Sequence, residues 1–584
     1  MQDQKLENLL NLALSVPEGQ RRESDELEVG YSPAEKTWDL IIRYNGSLER
    51  VRQLATVVPL SYQYAIITIE ESNIPLLSQL EEVEYVEKPK RLYFSTLQGK
   101  RQSCITSLQA GERSSDNLFG AGVIMAICDS GLDYTNPAFR NPDGTTRILE
   151  IWDQTIPGNP PEGYSLGTIF TKEQINEALQ QTSPQEQYRI VPTRDLSYHG
   201  SAVAGICCGS GVNVMTRGIA VQSDIIAVKL GNPAADSFPR TSELMQAIDF
   251  CAKRGIAFGK PLVLNLSFGN NYGSHDGTSL LETFINQIAL GSRIVICIGS
   301  GNEGAAAGHT SGTLLRREED GQATIQNAIQ ELAVGNFQSS LSLQIWKNYV
   351  DEMEIQLENP MGQRIVVPVQ DGAWEYRLGD TRLLIYYGTP SPYNPYQEIY
   401  IDFLPVRDYI DAGIWKIYLF PKKIVLGRYD MWLPAAAALN MQTQFLTPNA
   451  DTTLTIPATS TYAITVGAYQ GDNQSYADFS GRGYTRITNQ IKPDLVAPGV
   501  NITTLAPNRS TQVVSGTSFA TPFVSGACAM MMEWGIVRGN DPYLYGQKVK
   551  EYLIRGAKPL PGFTVYPNPQ VGYGALCVRD SLPV

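Results

Sequence analysis

Ser518 lies in the run SGTSFATPFVSG (515–526), and its chemistry depends on partners elsewhere in the chain. A serine hydroxyl is a weak nucleophile near neutral pH until a base takes its proton and another group fixes that base. The chain has only three histidines, His199, His275 and His309, so the choice of an imidazole base is narrow. His199 stands in SYHGSAVAGICCGSG, ahead of a run with helical spacing; taken alone, it reads as a surface-loop histidine. Asp129 closes the apolar run of IMAICDSGLDYTNPAF, where a carboxylate can orient an imidazole or simply cap a helix. Asn302, in VICIGSGNEGAAAG, follows another apolar run at a glycine-rich bend. A short amide there can donate to a developing oxyanion or merely sit in a turn. Each reading is weak singly. Together they describe acyl transfer by an Asp–His–Ser set with an oxyanion donor.

Such groups need a scaffold that gathers them. VIMAICDSG (123–131), DIIAVKL (224–230), PLVLNLSFG (261–269) and RIVICIGSG (293–301) are nearly continuous apolar runs. Parallel strands buried on both faces require that pattern. The helical stretch TSELMQAIDFCAKRG (241–255) lies between two of them, which predicts a doubly wound α/β fold. Open α/β sheets collect functional groups at the carboxyl ends of their strands, where Asp129 and Asn302 fall. From 320 to about 445 the pattern becomes short alternating segments with turn residues near every ten positions, which predicts an inserted antiparallel β-sandwich. The α/β pattern resumes at YAITVGAY (462–469).

The first hundred residues read as a separate α+β unit. TWDLIIRYN (37–45), YAIITIE (64–70) and EYVEKP (84–89) are strands, while SLERVRQLATVV (47–58) and NIPLLSQLEEV (73–83) are helices. The polar STLQGKRQS (95–103) reads as a linker open to proteolysis. The expected divisions are 1–98, 99–319, 320–448 and 449–584.

A net charge of −13 and a pI near 5.0 argue against nucleic acid as a partner. No run of about 20 apolar residues offers a membrane span, and MQDQKLENLLNLALSV does not read as a signal peptide. The expectation is synthesis in the cytoplasm. Of the eight cysteines, Cys128, Cys207, Cys208, Cys251, Cys297 and Cys528 lie in apolar runs without zinc spacing, and a chain this long needs no disulfide staples, so buried free thiols in a reducing compartment are expected.

DSGLD, HGSAVAG, GSGNEG, KPDLVAPG and SGTSFATPFVSG resemble the signature blocks of the subtilisin-like serine proteases. The order Asp–His–Ser and the pattern G-x-S-x-A set the chain apart from the α/β-hydrolases. The resemblance implies a subtilisin-like, mostly parallel sheet and a serine endopeptidase. Ser518 is then the nucleophile, His199 the general base and acid, Asp129 its orienter and Asn302 the oxyanion donor. Lys229, Leu230 and Gly231 on one strand, and Leu266, Ser267, Phe268 and Gly269 on another, match the strands that bracket an extended substrate. The first unit resembles the family's inhibitory propeptide, which assists folding, occupies the cleft and is cut off by the enzyme itself. Gln98 or Gln102 then precedes the cut, with Gln98 preferred. GSGVNVMTRGIA lacks the family's Asn-rich calcium loop, so no metal and no cofactor are expected.

Three features narrow the resemblance: the absent export signal, the long Asp129-to-His199 segment containing TRILEIWDQTIPG, and the β-rich insertion. Together they resemble the Csp germination proteases of spore-forming clostridia, which carry a propeptide, a subtilase domain and an inserted jelly roll. That resemblance implies activation of a spore-cortex-lytic enzyme precursor during germination, and incorporation into the spore. Some members of that group have lost triad residues and act as sensors; this chain keeps all three. The alternatives are a catalytically silent sensor or binding protein, and a general intracellular subtilase.

Overall fold

The computed structural model describes residues 5–15, 18–21, 30–59, 63–88, 95–109, 117–211, 216–231, 239–291, 293–314, 316–319, 322–370, 372–391 and 394–583. Residues 212–215, within the GSGVNVMTRGIA segment after His199, lie outside these. The chain divides into two compact units, Met1–Tyr93 and Phe94–Val584.

In the first unit, alternation along TWDLIIRY buries Trp38, Leu40 and Ile42 while Asp39 and Arg43 stay exposed. The Thr37–Tyr44 strand pairs antiparallel with Tyr64–Glu70 and with Val83–Glu87, and Ala55–Pro59 joins the far edge of Tyr64–Glu70. The helix expected over 47–58 is only Glu49–Arg52, because β-branched Thr56, Val57 and Val58 enter the sheet instead.

The second unit is built on a nine-stranded sheet. Its order runs Ser475–Tyr476, Ile464–Gln470, Ile294–Gly299, Leu262–Leu266, Ile124–Asp129, Asp224–Lys229, Ile148–Asp153 and Thr168–Thr171, with Leu495–Pro498 also paired to Ile464–Gln470. All pairings are parallel except those made by Ser475–Tyr476 and Thr168–Thr171. The Ile124–Asp129 strand shows why its apolar run is continuous. Met125 and Ile127 pack into the core beneath the His199–Cys208 and Thr517–Met532 helices. Ile124, Ala126 and Cys128 enter the opposite core beneath Thr241–Ala257 and Leu280–Ala289. Each fully buried aliphatic side chain contributes roughly 1.5–3 kcal/mol relative to exposure.

The insertion is an antiparallel sandwich of a six-stranded and a five-stranded sheet sharing one core, in which Leu343, Ile399 and Phe403 meet Ile355, Trp415 and Ile417. It begins earlier than residue 320. His309–Thr313 pairs with Arg428–Trp432 and forms an edge of the larger sheet. HTSGT has no apolar alternation, so nothing in its composition marked it as a strand. His275 and His309 are not in the cleft. Their rings stack on Trp432 at 4.3 and 4.6 Å, within the contact between sandwich and sheet. Burial pushes the His275 imidazole down to about 4. Asp430 accepts from Arg486 Nε at 2.7 Å and lies 3.3 Å from His309 Nε2. Burial alone would raise that carboxyl, but His309, Arg486 and Arg428 together hold it low.

Two further expectations need correction. Residues 95–103 do not form an open linker: Ser95–Gln102 is a helix of the second unit. Gly99 packs against Phe523, and buried Lys100 donates to the Gly218 carbonyl at 3.1 Å. Desolvation, with Arg217 nearby, lowers that ammonium to about 8. A lysine stem and a glycine do this packing, so no apolar pattern announced it. Cys104 and Cys577 form a disulfide across 473 positions, while the six cysteines named above are free and buried.

Candidate active site

Asp129 ends its strand and is 4% exposed. Its Oδ1 accepts from Ser130 N–H and lies 2.7 Å from His199 Nδ1. His199 opens the His199–Cys208 helix just after Tyr198, whose φ of 62° makes the sharp entry. Gly200 is required by space: a Cβ there would lie 2.2 Å from the Gly131 carbonyl and 3.0 Å from the Asp129 Cβ. Burial, the largest single influence, pulls the His199 imidazole down. Asp129's charge and hydrogen bond, with Asp195's charge, outweigh it and hold the group above its ordinary value.

Asp195 was not singled out from the sequence. Its Oδ1 accepts from Ser130 Oγ and Tyr198 N–H, and its Oδ2 from Ser201 N–H and Oγ, all within 2.8 to 3.0 Å. Ser130 Oγ accepts in turn from Gly200 N–H. One carboxylate thus ties the loop after Asp129 to the helix that carries His199. The available signal was an Asp shortly before a helical run, the usual mark of a helix N-terminus.

Ser518 is the second residue of the Thr517–Met532 helix, half-buried, behind Gly516 with φ 147°. Its hydroxyl donates to the Ser267 carbonyl at 2.8 Å, and Ser267 Oγ donates back to the Ser518 carbonyl at 3.0 Å. Asn265 Nδ2 donates to Ser267 Oγ, and Ser525 Oγ donates to Asn265 Oδ1, so a buried polar chain joins strand and helix. Phe519, the next residue, places its ring 5.4 Å from the His199 ring. Asn302 is exposed at the loop after Ile294–Gly299. Its Oδ1 accepts from Thr517 N–H and Oγ at 3.0 and 3.1 Å, which fixes the amide and leaves the Nδ2 hydrogens for another acceptor.

Asp129, His199, Asn302 and Ser518 therefore gather where the strands end and the helices begin. Leu266–Gly269 lies beside Ser518. Gly269 and Gly301 both press on Thr455, where a Cβ on either would lie 2.4 Å from it. On the other strand, Lys229 Nζ donates to the Arg194 carbonyl, and the Leu230 and Gly231 amides are spent on Asp129 O and Gln154 Oε1. Gln98 and Gln102 both fall in the Ser95–Gln102 helix, where Gln102 bonds to the Gly471 carbonyl.

This fold and this gathering of residues are those of a subtilase: the subtilase family pattern matches residues 120–390 and 428–574, and the chain belongs to that family. The Csp protease B prodomain pattern matches residues 4–90. Among solved structures, the chain is similar to the Clostridium perfringens CspB protease, with 36% identity and a TM-score of 0.75, over 83% of this chain and 96% of that one. Curated relatives from Bacillus subtilis include serine protease AprX, 34% identical over 22% of this chain and 32% of that protein. Another is minor extracellular protease Vpr, 22% identical over 79% of this chain and 52% of that protein. The chain thus spans about a third to a half of the length of these two.

Proposed function

We propose that this chain is a self-processing serine endopeptidase. Ser518 Oγ bonds to the scissile carbonyl carbon as its proton passes to His199 Nε2. Asp129 holds Nδ1–H and stabilises the imidazolium, and Asn302 Nδ2 donates to the oxyanion. The C–N bond then breaks, the His199 proton goes to the leaving amine, and water repeats the sequence on the acyl-enzyme. The Ser518 hydroxyl donates to the Ser267 carbonyl, so it must leave that acceptor before its proton can pass to the imidazole. The observation that carries this reading is the 2.7 Å Asp129–His199 pair beside the Thr517–Met532 helix whose first turn carries Ser518.

The prodomain match and the likeness to the CspB protease support the finer reading: the natural substrate is the precursor of a spore-cortex-lytic enzyme, cut during germination, by a protease made in the cytoplasm and carried in the spore. The chain's own propeptide is its first substrate and occupies the cleft. A protease binds its substrate extended, so cleavage after Gln98 or Gln102 requires the Ser95–Gln102 helix to form only after the cut, or to unwind before it.

Intact-mass measurement of the purified chain tests this directly. Wild type is expected as two pieces divided near residue 98, and Ser518→Ala as one uncut chain. A Ser518→Ala protein cut at the same bond would show that another protease does the work. Wild-type Ser518 that takes no fluorophosphonate label would favour the silent sensor.

A further inference from the structure

The inserted sandwich touches the loop that carries Asn302 through one buried carboxylate. Glu303 is 9% exposed, and its Oε2 accepts from the Ala436 N–H of the insertion at 3.1 Å and from Asn271 Nδ2 at 3.5 Å. Asn271 lies just beyond the Leu266–Gly269 segment, and its Nδ2 also donates to the insertion's Leu433 carbonyl. Gln344, from the middle of the insertion's larger sheet, closes the set. It donates to the Asn271 carbonyl at 3.1 Å and accepts from Gly273 N–H at 2.9 Å.

We infer that Glu303 is a positioning residue through which the insertion holds the oxyanion donor in place. The inference rests on the reading of Asn302 given above. The Gly301 carbonyl accepts from Gly481 N–H at 2.9 Å, and beyond that two side-chain contacts constrain Asn302. Thr517 fixes its side-chain oxygen from the side of the Ser518 helix. Glu303 fixes the backbone on the other side, bonding to the segment after the substrate strand and to the insertion at one oxygen. The ends of this short loop are pinned by Ser300 N–H to Val466 and Gly304 N–H to Phe479. The Glu303 side chain is what carries the insertion into the space between those pins. An oxyanion donor works by being aimed beforehand, so a small displacement of the Asn302 backbone costs rate without weakening substrate binding.

The experiment is a double-substitution cycle on the full chain, read on a fluorogenic peptide alongside a fluorophosphonate label. Glu303→Ala is expected to lower kcat roughly ten- to hundredfold with KM nearly unchanged. Glu303→Gln, which keeps an acceptor for Ala436, is expected to recover most of that. In an Asn302→Ala background, Glu303→Ala is expected to add no further loss. Gln344→Ala is expected to behave like Glu303→Ala at smaller amplitude. Equal loss in both backgrounds, a rise in KM alone, or an unchanged kcat in a folded variant would each overturn the inference. Wild type that takes no label would remove the proposed function and this inference together, whereas labelled wild type with a failed cycle removes the inference only.

Discussion

His199 Nδ1 and Asp129 Oδ1 stand 2.7 Å apart, with the carboxylate buried and the imidazole a third exposed. The charge and hydrogen bond of Asp129 keep His199 above its ordinary value despite burial, and only the neutral imidazole can take the serine proton. The acid limb of kcat/KM is therefore expected above pH ~6.5, the usual histidine value, with activity rising as pH rises through it. The linkage to stability runs the other way. Protonated His199 favours the folded state below the unfolded value, and that contribution is lost as pH rises through the folded one. Asp129→Asn should lower kcat by about four orders of magnitude, as in serine triads generally, and move the acid limb downward. A pH–rate profile of both proteins checks this.

Asn302→Ala should cost about 100- to 1,000-fold in kcat while KM changes little. Its amide is exposed with only its oxygen engaged, so thermal unfolding should shift far less than activity does. Steady-state kinetics beside a melting curve separate the two.

Gly200→Ala places a methyl 2.2 Å from the Gly131 carbonyl, where only backbone can yield. Overpacking of this kind costs about 1–3 kcal/mol. It also pushes on Asp129 and His199, so labelling of Ser518 should fall more than stability does. Labelling rate against melting temperature reads out the prediction.

The disulfide between Cys104 and Cys577 closes a very long loop. Removal of such a link typically costs about 2–5 kcal/mol. Cys104→Ser, or wild type with reductant, should melt several degrees lower, with kcat nearly unchanged because the link lies outside the site.

Much of the sheet was legible, because strands such as Ile124–Asp129 bury both faces and must be apolar throughout. The two-residue alternation of strands such as Thr381–Tyr387 likewise announced the sandwich. What escaped is where packing uses residues that carry no apolar signal. Lys100 and Gly99 seat a polar helix, and His309–Thr313 joins a sheet through backbone pairing and polar side-chain bonds such as Thr310 to Gln330. Asp195 escaped for a different reason: its four hydrogen bonds to Ser130, Tyr198 and Ser201 depend on which loops come together.

Residue types and order determined by themselves that a serine, a histidine, an aspartate and an asparagine are available for acyl transfer, since motif and strand pattern are local properties of the chain. Only the tertiary structure decided that His275 and His309 are buried against Trp432 rather than near Ser518. It also decided that the insertion reaches the Asn302 loop through Glu303. Contacts between segments over a hundred positions apart depend on the closure of the whole fold, and no local pattern encodes them.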